Sequence, residues 1–493
     1  MIDIDIHNVT SIAYNVGNYP EVVAALETVM PGFQYTYAYK RGFSNGKINL
    51  FKGEEFPTGL INYLLIKIEE AGVPVSVTDY RTIRHIDLQP TTVQLRPYQE
   101  EIVNKALTNL YSDGQGGGTW WPRGVIQVAT GGGKTEMAAA MIQMTNVPTI
   151  FLVHRQDLAT QATERFKPYG IEVGTLEDPK QVVVTTVQSL MSWNMNFEKT
   201  YINSEGEEVD RSDEWMDKKA RRQAAKSSKV KTYLDTVEQV FIDEAHLIAS
   251  TEDKMNMFST ALSLMPNAFM RWGLTATPFM RDTLHNWMLE GATGPILAQI
   301  TNRELIDLGY LSEAFVDIYI MPQNKDIPKD WPRSYEYGIM TYKLRNDKIV
   351  QCFSTYPGPT MILVNKIGHG QILEKKLAEA GFTVPFVYGN SSKEERRAVI
   401  AKVKSGKLPG VIASTIWDEG IDIANIQTVI LAGAGKSEIK NLQRLGRGLR
   451  VSSGKSALHL IDFLDSSPTT LKKHSQVREL LWQEQGFTIR YLQ

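Results

Sequence analysis

Cysteine is almost absent from this chain of 493 residues, since Cys352 is its one representative. A single thiol excludes a disulfide scaffold, an iron–sulfur cluster and any cysteine-based zinc site, and it indicates a reducing compartment. The first residues lack the basic and then apolar run of a signal peptide, and no apolar run approaches about 18 residues. The sequence therefore predicts a cytoplasmic protein without a membrane partner, in the host-cell cytoplasm if a phage encodes it.

An excess of charge of one sign is also missing, because 53 Lys and Arg stand against 55 Asp and Glu, for a formal net charge of −2. This balance does not indicate a nucleic-acid partner, but it excludes none, because salt confines exposed charges to a reach of about 10 Å at 0.1 M. With 42% hydrophobic and 22% charged residues, the composition is that of an ordinary globular protein. At roughly 150 residues per domain, the length indicates about three domains.

Residues 1–90 form the first predicted domain, a small α+β unit with the element order βαββαβ. The pair Asn45-Gly46 supplies the positive φ angles of a tight turn, in a hairpin whose first strand is expected within residues 33–43. Thr58 is expected to cap the helix that follows the hairpin.

Two series of short apolar runs follow, at 91–290 and 300–493, and both alternate with helix-like segments. Strands this apolar are typical of a parallel sheet that helices cover on both faces. The predicted fold class is therefore α/β, with two tandem parallel-sheet domains behind the small α+β domain. A charged insertion at 198–231 is either a solvated surface helix or a basic helix that lies on DNA, and both interpretations stay open.

Residues 128–135, VATGGGKT, follow an apolar strand and open a helix, which is the context that a phosphate-binding loop needs. Lys134 is placed to reach the β and γ phosphates of ATP, and the hydroxyl of Thr135 to hold Mg²⁺. Val128 stands where the motif usually has its first glycine. The loop residues expected to hold the phosphates are Thr130, Gly131, Gly132 and Gly133.

A second motif, VFIDEAH at 240–246, is an apolar strand that ends in two carboxylates. Asp243 is expected to hold Mg²⁺, directly or through water, and Glu244 to polarise the attacking water. Such a pair often only starts a helix, but the phosphate loop about 110 residues upstream favours the catalytic interpretation. His246 is either a packing residue or a link to the strand end Thr275-Ala276-Thr277.

With further blocks between residues 94 and 465, these motifs resemble superfamily 2 helicases and translocases of the DEAH-box type, in that family's order. The resemblance implies two tandem RecA-like domains that close on ATP and open after its hydrolysis, stepping along a strand that crosses both. It implies that Gln99, with Arg96 in the same QLRPYQ segment, positions adenine. It also implies that Thr275 and Thr277 couple hydrolysis to strand movement.

The remaining blocks carry the strand-contacting and second-domain residues of the family pattern. Two blocks, LVHRQDLATQ and VTTVQSL, resemble those that contact the nucleic acid. A third, STIWDEGIDI, resembles motif V, and the resemblance implies that its Gly420 and Asp422 bind the nucleotide. The implied nucleic-acid contacts of these blocks are Arg155, Gln161, Thr186, Gln188, Ser414 and Thr415.

QRLGRGLR at 443–450 is similar to motif VI, and its side chains also have a physical rationale of their own. The residues spaced to face one side of a helix or turn are Gln443, Arg444, Arg447 and Arg450. Guanidinium forks that reach across a domain cleft stabilise charge on a transferring phosphoryl group, an effect of about 10³–10⁵ in rate for arginine fingers generally. A basic face that only binds nucleic acid is the alternative.

Within residues 1–90, YKRGFSNGKINLF and FPTGLINYLLIKIEEAG resemble the accessory domain of phage recombination helicases of the UvsW type, which act on branched DNA. This part holds 7 Lys and Arg against 10 Asp and Glu. A duplex contact is therefore expected only from a local cluster, Lys40, Arg41 and Lys47. A generic α+β appendage is the alternative.

The sequence thus predicts an ATP- and Mg²⁺-dependent DNA helicase that unwinds or branch-migrates forked and junction DNA in recombination, repair or replication. It is expected to act as a monomer or weak oligomer, with recombination or replication proteins as candidate partners. Two alternatives stay open, an RNA helicase on structured RNA and the duplex-translocating motor subunit of a restriction or defence complex. The expected catalytic set is Lys134, Thr135, Asp243, Glu244, Gln443, Arg447 and Arg450.

Overall fold

The computed structural model describes residues 1–31, 33–35, 37–81, 83, 85–108, 122–194, 200–202, 208–210, 228–248, 252–276, 283–414, 425–433, 449 and 457–492. The chain divides into two compact units, the first comprising Met1–Val128 and Gly133–Gln299 and the second Ala129–Gly132 and Ile300–Gln493. No helix within the described ranges is long and apolar enough to span a membrane.

The amino-terminal part of the first unit is a small mixed sheet with short helices. Its strands are β1 (Ile2–Ile6), β2 (Thr10–Tyr14), β3 (Glu27–Val29), β4 (Lys47–Asn49), β5 (Glu55–Pro57) and β6 (Val75–Asp79). Its helices are α1 (Pro20–Ala24), α2 (Tyr37–Lys40) and α3 (Ile61–Glu70). The sheet order is β5-β2-β1-β6, with β1 antiparallel to β2 and parallel to β6, while β3 and β4 form a separate pair. One core buries the isoleucines of β1 against Leu64 and Ile68 of α3.

The hairpin prediction is wrong in its first strand. β4 pairs antiparallel with β3 at Glu27–Val29, and residues 33–43 contain a short 3₁₀ turn and α2 instead of a strand. The glycine requirement at the turn is confirmed, because Gly46 has a φ of +75° and a Cβ there would lie 2.1 Å from the ring of Phe33. The aromatic residues of 33–43 favour a strand by propensity, but β3 already occupies the pairing edge of β4.

Thr58 does not cap α3, so that prediction is also wrong. A 3₁₀ turn at Thr58–Leu60 precedes the helix, and the fully buried Thr58 hydroxyl donates to the carbonyl oxygen of His7 at 2.9 Å. It also lies 2.8 Å from the hydroxyl of Ser11. The side chain therefore joins the turn to the sheet. With β2, β5 and α2 added, the element order is ββαβαββαβ instead of βαββαβ.

The first unit continues into a seven-stranded sheet with the order β15-β7-β14-β13-β8-β10-β9. Its strands are β7 (Arg123–Val128), β8 (Thr149–Val153), β9 (Val173–Gly174), β10 (Val182–Thr186), β13 (Gln239–Asp243), β14 (Met270–Thr275) and β15 (Ile296–Ile300). The helices are α4 (Pro97–Thr108), α5 (Lys134–Thr145), α6 (Gln156–Phe166), α7 (Val187–Asn194), α8 (Glu252–Ser263) and α9 (Thr283–Thr293). The pairings from β7 through β9 are parallel. β8 and β14 are buried at every position, as their apolar sequences predict.

Of the charged insertion, the structure describes an antiparallel pair, β11 (Thr200–Ile202) and β12 (Glu208–Asp210), and residues 228–231. The rest of the segment, including most of its basic half, lies outside the described residues.

The small sheet packs closely against α9 of the same unit. A Cβ on Gly59 would lie 1.9 Å from the carbonyl oxygen of Glu290, and the rings of Tyr63 and Trp287 are 5.4 Å apart. The buried guanidinium of Arg123 donates to the carbonyl oxygens of Ala292 and Thr293, at the end of α9, and to that of Asn8. These contacts bind the small sheet to the larger one.

The second unit is built on another seven-stranded sheet, with the order β18-β19-β17-β20-β21-β16-β22. Its strands are β16 (Glu313–Met321), β17 (Thr360–Val364), β18 (Phe386–Val387), β19 (Gly410–Ser414), β20 (Thr428–Leu431), β21 (Ala457–Asp465) and β22 (Thr488–Leu492). The helices are α10 (Asn302–Asp307), α11 (Trp331–Tyr335), α12 (Lys343–Thr355), α13 (Ile367–Glu379), α14 (Lys393–Lys404) and α15 (Thr469–Glu484). All six pairings are parallel, which confirms the predicted α/β class with two tandem RecA-like sheets.

Two ion pairs lie inside the second unit. Arg478 of α15 forms a two-pronged contact with Asp462 of β21, with N–O distances of 2.9–3.1 Å, and the indole of Trp482 donates to the same carboxylate at 3.0 Å. Arg345 contacts Asp465 at 2.8 Å. All four charged side chains are at most 5% exposed. The core around them includes Cys352, which is buried as an interior thiol.

Candidate active site

The glycine-rich loop leads from β7 into α5. Residues 130–132 form a turn in which the Gly132 N–H donates to the carbonyl oxygen of Ala129 at 2.9 Å. Gly131 and Gly133 have φ angles of +90° and +85°, a region that L side chains rarely adopt. Gly133 is the residue before α5, so the helix begins directly at Lys134 and directs its first N–H groups at the loop.

Gln99 lies against Gly133, the last residue of this loop. Its side chain is 4% exposed, and its amide nitrogen would be 2.1 Å from a Cβ on Gly133. The backbone N–H of Arg96 donates to the amide oxygen of Gln99 at 2.8 Å. The QLRPYQ segment thus sets the orientation of the glutamine beside the start of α5.

The carboxylate pair meets the start of α5 at one edge of the first large sheet. Asp243 ends β13, and Glu244 follows in a left-handed conformation with a φ of +50°. Its backbone N–H donates to the carboxylate of Asp243 at 3.0 Å. The side-chain nitrogen of Lys134 lies 3.9 Å from Glu244 Oε1. Two motifs about 110 residues apart in sequence therefore form one cluster of charges.

The pKa of Asp243 is raised to about 6, first by burial and then by the negative charge of Glu244, while Lys134 acts in the opposite direction. Two neighbouring carboxylates with one lysine form an oxygen-rich pocket that a divalent cation would stabilise in its charged form. Mg²⁺ typically takes one or two protein oxygens together with phosphate oxygens. Among the described residues, no group of three or more His, Cys, Asp and Glu could hold a metal ion by itself.

Thr135 has a neighbour that sequence analysis missed. Arg165 of α6 donates to the Thr135 hydroxyl oxygen at 3.3 Å and lies 4.0 Å from the carboxylate of Glu136. The hydroxyl keeps its hydrogen and a second lone pair for another ligand. No motif marks Arg165, because its contact depends on how α5 and α6 pack.

His246 links the carboxylates to the end of β14. Its ring is buried, and Nδ1 lies 3.0 Å from the hydroxyl of Thr275 and 3.4 Å from Glu244 Oε2. The structure thus brings together Glu244, His246 and Thr275, as the linking interpretation expects. Thr277 lies outside the described residues.

The expected nucleic-acid contacts of the first unit are spread over several elements. Arg155 precedes α6 and pairs with Asp157 at 3.1 Å, while Gln161 and Gln188 are exposed on α6 and α7. Thr186 is buried, and its hydroxyl accepts the backbone N–H of Ser189 at the start of α7. A contact from Thr186 to a nucleic acid stays a prediction.

Lys40 and Arg41 are exposed at the end of α2, and Lys47 begins β4. The ammonium of Lys47 is paired with Glu27 at 2.6 Å, so part of its charge is neutralised. Lys40 and Arg41 therefore follow one another at the end of α2, whereas the charge of Lys47 is shared with Glu27.

In the second unit, Ser414 ends β19 and is buried. The other second-domain residues expected at the nucleotide or the nucleic acid lie outside the described residues. They are Thr415, Gly420, Asp422, Gln443, Arg447 and Arg450.

Two family models match the chain. Residues 92–280 match the family described as Type III restriction enzyme, res subunit, and residues 345–452 match the Helicase conserved C-terminal domain. The first range includes every strand of the first large sheet except β15, the second includes β17 to β20, and together they include the motifs discussed above.

Individual relatives agree with these matches. A protein of Sulfolobus islandicus filamentous virus named "Putative helicase 22" is 24% identical over 94% of this chain and 81% of its own length. The ATP-dependent DNA helicase uvsW of Enterobacteria phage T4 is 25% identical over 48% of this chain and 49% of its own length.

A solved structure titled as a fragment of a "putative HsdR subunit" of a type I restriction enzyme from Vibrio vulnificus has the same fold. The two superimpose with a TM-score of 0.57 at 19% identity, over 92% of this chain and 81% of that one. The likeness concerns the fold alone.

Proposed function

The chain belongs to superfamily 2 of the helicases and resembles the UvsW helicase, and from this premise we propose that it is an ATP-driven motor that unwinds or branch-migrates forked and junction DNA. The observation that carries the motor part is the cluster in which Lys134 lies 3.9 Å from Glu244 and next to Asp243. The family implies ATP as fuel, with Mg²⁺ as its usual metal ion.

Each residue of the cluster has a proposed task that follows from its chemistry. Lys134 supplies a positive charge at the start of α5, where the helix dipole also favours phosphate. Thr135 and Asp243 offer a hydroxyl and a carboxylate oxygen to Mg²⁺. Glu244 accepts a hydrogen bond from the attacking water and orients it. The metal ion, when bound, neutralises charge on the transferring phosphoryl group.

The contact of His246 supports a route from hydrolysis to movement. Nδ1 of the imidazole lies close to both Glu244 and Thr275, so a change at the carboxylate alters the hydrogen bonding of the β14 end. Thr277, which the family resemblance implies couples hydrolysis to strand movement, follows β14 in the sequence. We therefore assign His246 to coupling rather than to packing.

The DNA part of the proposal is supported by a surface of the small domain, the aromatic-basic face, formed by Tyr37, Tyr39, Lys40, Arg41 and Phe43. Phe43 is 80% exposed and Tyr37 69% exposed, which is unusual for rings in a globular protein. The guanidinium carbon of Arg41 lies 5.3 Å from the centre of the Tyr37 ring. Cations beside exposed rings suit phosphates next to unstacked bases, as at a fork.

A restriction-type motor is the second candidate function, because residues 92–280 match a restriction-enzyme family. Such a motor translocates on duplex without separating strands. The two candidates therefore differ in the polymer that stimulates hydrolysis and in strand displacement.

The test is the steady-state ATPase rate with equal phosphate concentrations of single-stranded DNA, linear duplex, forked DNA and structured RNA. We expect the forked DNA to stimulate the rate most and to be unwound in a strand-displacement assay. Strongest stimulation by RNA would overturn the DNA assignment. Strongest stimulation by linear duplex without displacement would favour the restriction-type motor.

Neutralising two cations of the aromatic-basic face is expected to weaken binding to forked DNA. Each phosphate contact contributes about 0.9 to the slope of log K against log salt, so Lys40→Gln with Arg41→Gln should reduce that slope by about 2. Fluorescence anisotropy of a labelled fork between 50 and 200 mM salt measures it. Lys52→Gln, an exposed lysine of the same domain, is the control and should change the slope less than the double variant does. An unchanged slope in the double variant would remove this face from the DNA path.

A further inference from the structure

The second unit contains a cavity of about 970 Å³ at the carboxyl ends of β17, β18 and β19. Ligands of open parallel sheets bind outside the carboxyl ends of the strands, and pockets of about 300–1,000 Å³ hold small organic groups. The cavity wall includes Trp331 and Tyr335 of α11, Asn365 and Lys366 after β17, and Ser414 at the end of β19.

One end of the cavity suits an anion. α13, a helix of 13 residues, begins at Ile367 there, and no side chain caps its first N–H groups. Lys366, directly before the helix, is exposed. Ser414 is 6% exposed, and its hydroxyl has no hydrogen-bond partner within the described chain. Buried hydroxyls normally have a hydrogen-bond partner, and a polar group of a ligand can supply one here.

The lining of the same cavity also offers a flat ring. Trp331 is 39% exposed, although its ring contacts those of His474, 4.4 Å away between centroids, and Tyr335, 5.6 Å away. The cavity wall therefore combines an exposed indole with the groups that suit an anion. An indole fixed by two neighbouring rings loses little freedom when a further ring stacks on it.

We infer that Trp331 is a stacking platform for one base of single-stranded DNA, whose phosphate lies at Lys366, Ser414 and the start of α13. The inference rests on the proposed function, since it names a base contact within the strand path of the second unit. Trp331 lies outside all of the sequence motifs. Stacking on an aromatic ring accepts any base, which a motor that moves along DNA requires.

The test compares two labelled oligonucleotides of equal length, an oligothymidylate and the same backbone without bases. Trp331→Ala should weaken binding of the full-length protein to oligothymidylate by roughly five- to hundredfold, and binding to the abasic strand by less than about twofold. Trp331→Phe should keep the affinity within about threefold, because phenylalanine retains a stacking face. This second variant keeps the inference testable if the alanine protein does not fold.

Tyr337→Ala is the matched control, because Tyr337 is an exposed ring two residues beyond α11 that does not line the cavity. Equal losses on both oligonucleotides, or no loss on oligothymidylate, would overturn the platform while leaving the proposed helicase function intact. If the unaltered protein bound neither strand and no DNA stimulated its ATPase, the proposed function would fail together with the inference.

Discussion

Glu244→Gln is expected to lower DNA-stimulated ATP turnover by about 10²–10⁴, while ATP still binds. The amide keeps the size and hydrogen-bonding reach of the carboxylate but carries no charge to orient and polarise water. Lys134 loses only the partner at 3.9 Å, so its attraction for phosphate is retained. The measurement pairs the steady-state rate with the dissociation constant of a fluorescent ATP analogue.

Lys134→Ala, in the same site, is expected to affect nucleotide binding as well as hydrolysis, unlike Glu244→Gln. Removing the ammonium at the start of α5 should lower turnover at least as much and weaken nucleotide binding as well. Glu164→Gln, on an exposed carboxylate of the same unit, is the control and should leave both quantities unchanged. A Glu244→Gln protein with an unaltered turnover rate at saturating Mg²⁺ would refute the assignment of this carboxylate.

Arg478→Met is expected to destabilise the second unit by about 3–5 kcal/mol, the largest stability effect that we expect from a single substitution here. The carboxylate of Asp462 would remain buried, with the indole of Trp482 and the backbone N–H of Phe463 as its donors. Two neutral donors do not replace a two-pronged guanidinium contact in a medium of low polarity. Urea unfolding of the whole chain, followed by tryptophan fluorescence, measures the midpoint of the transition.

Two further variants show whether the uncompensated charge causes the loss. Arg478→Met with Asp462→Asn should recover at least half of it, because the amide oxygen still accepts from Trp482 and no buried charge remains. Lys375→Met breaks an exposed pair with Glu379 and should change stability by less than about 1 kcal/mol. If Arg478→Met were no worse than Lys375→Met, the buried pair would not stabilise the unit.

The large sheets could be predicted because their strands are buried on both faces. Runs such as residues 149–153 and 410–414 are buried at every position, so composition alone indicates a covered parallel strand. The phosphate loop and the carboxylate pair could also be located, since each motif is local in sequence. Their contact agrees with the rule that ligands of open parallel sheets bind outside the carboxyl ends of the strands.

The small domain was harder to predict, because its short strands show little alternation of apolar and polar residues. β3 and β4 have three residues each and are only partly buried. They are therefore too short for hydrophobic periodicity, or a run of buried residues, to identify them as strands. Arg165 and Trp331 belong to no motif, and their positions depend on helix packing. The buried Asp462 did leave a signal in the sequence, a charged residue inside the apolar run ALHLIDFL, which a strand tolerates only with a partner.

The buried Arg123 has a consequence for the order of events during protein synthesis. Its partners Asn8 and Thr293 lie 115 residues before it and 170 residues after it. At about 5–20 residues per second, the ribosome needs roughly 10–30 seconds between adding Arg123 and adding Thr293. The amino-terminal sheet is therefore synthesised long before α9. Until α9 is made, the surface of the sheet that packs against this helix remains uncovered.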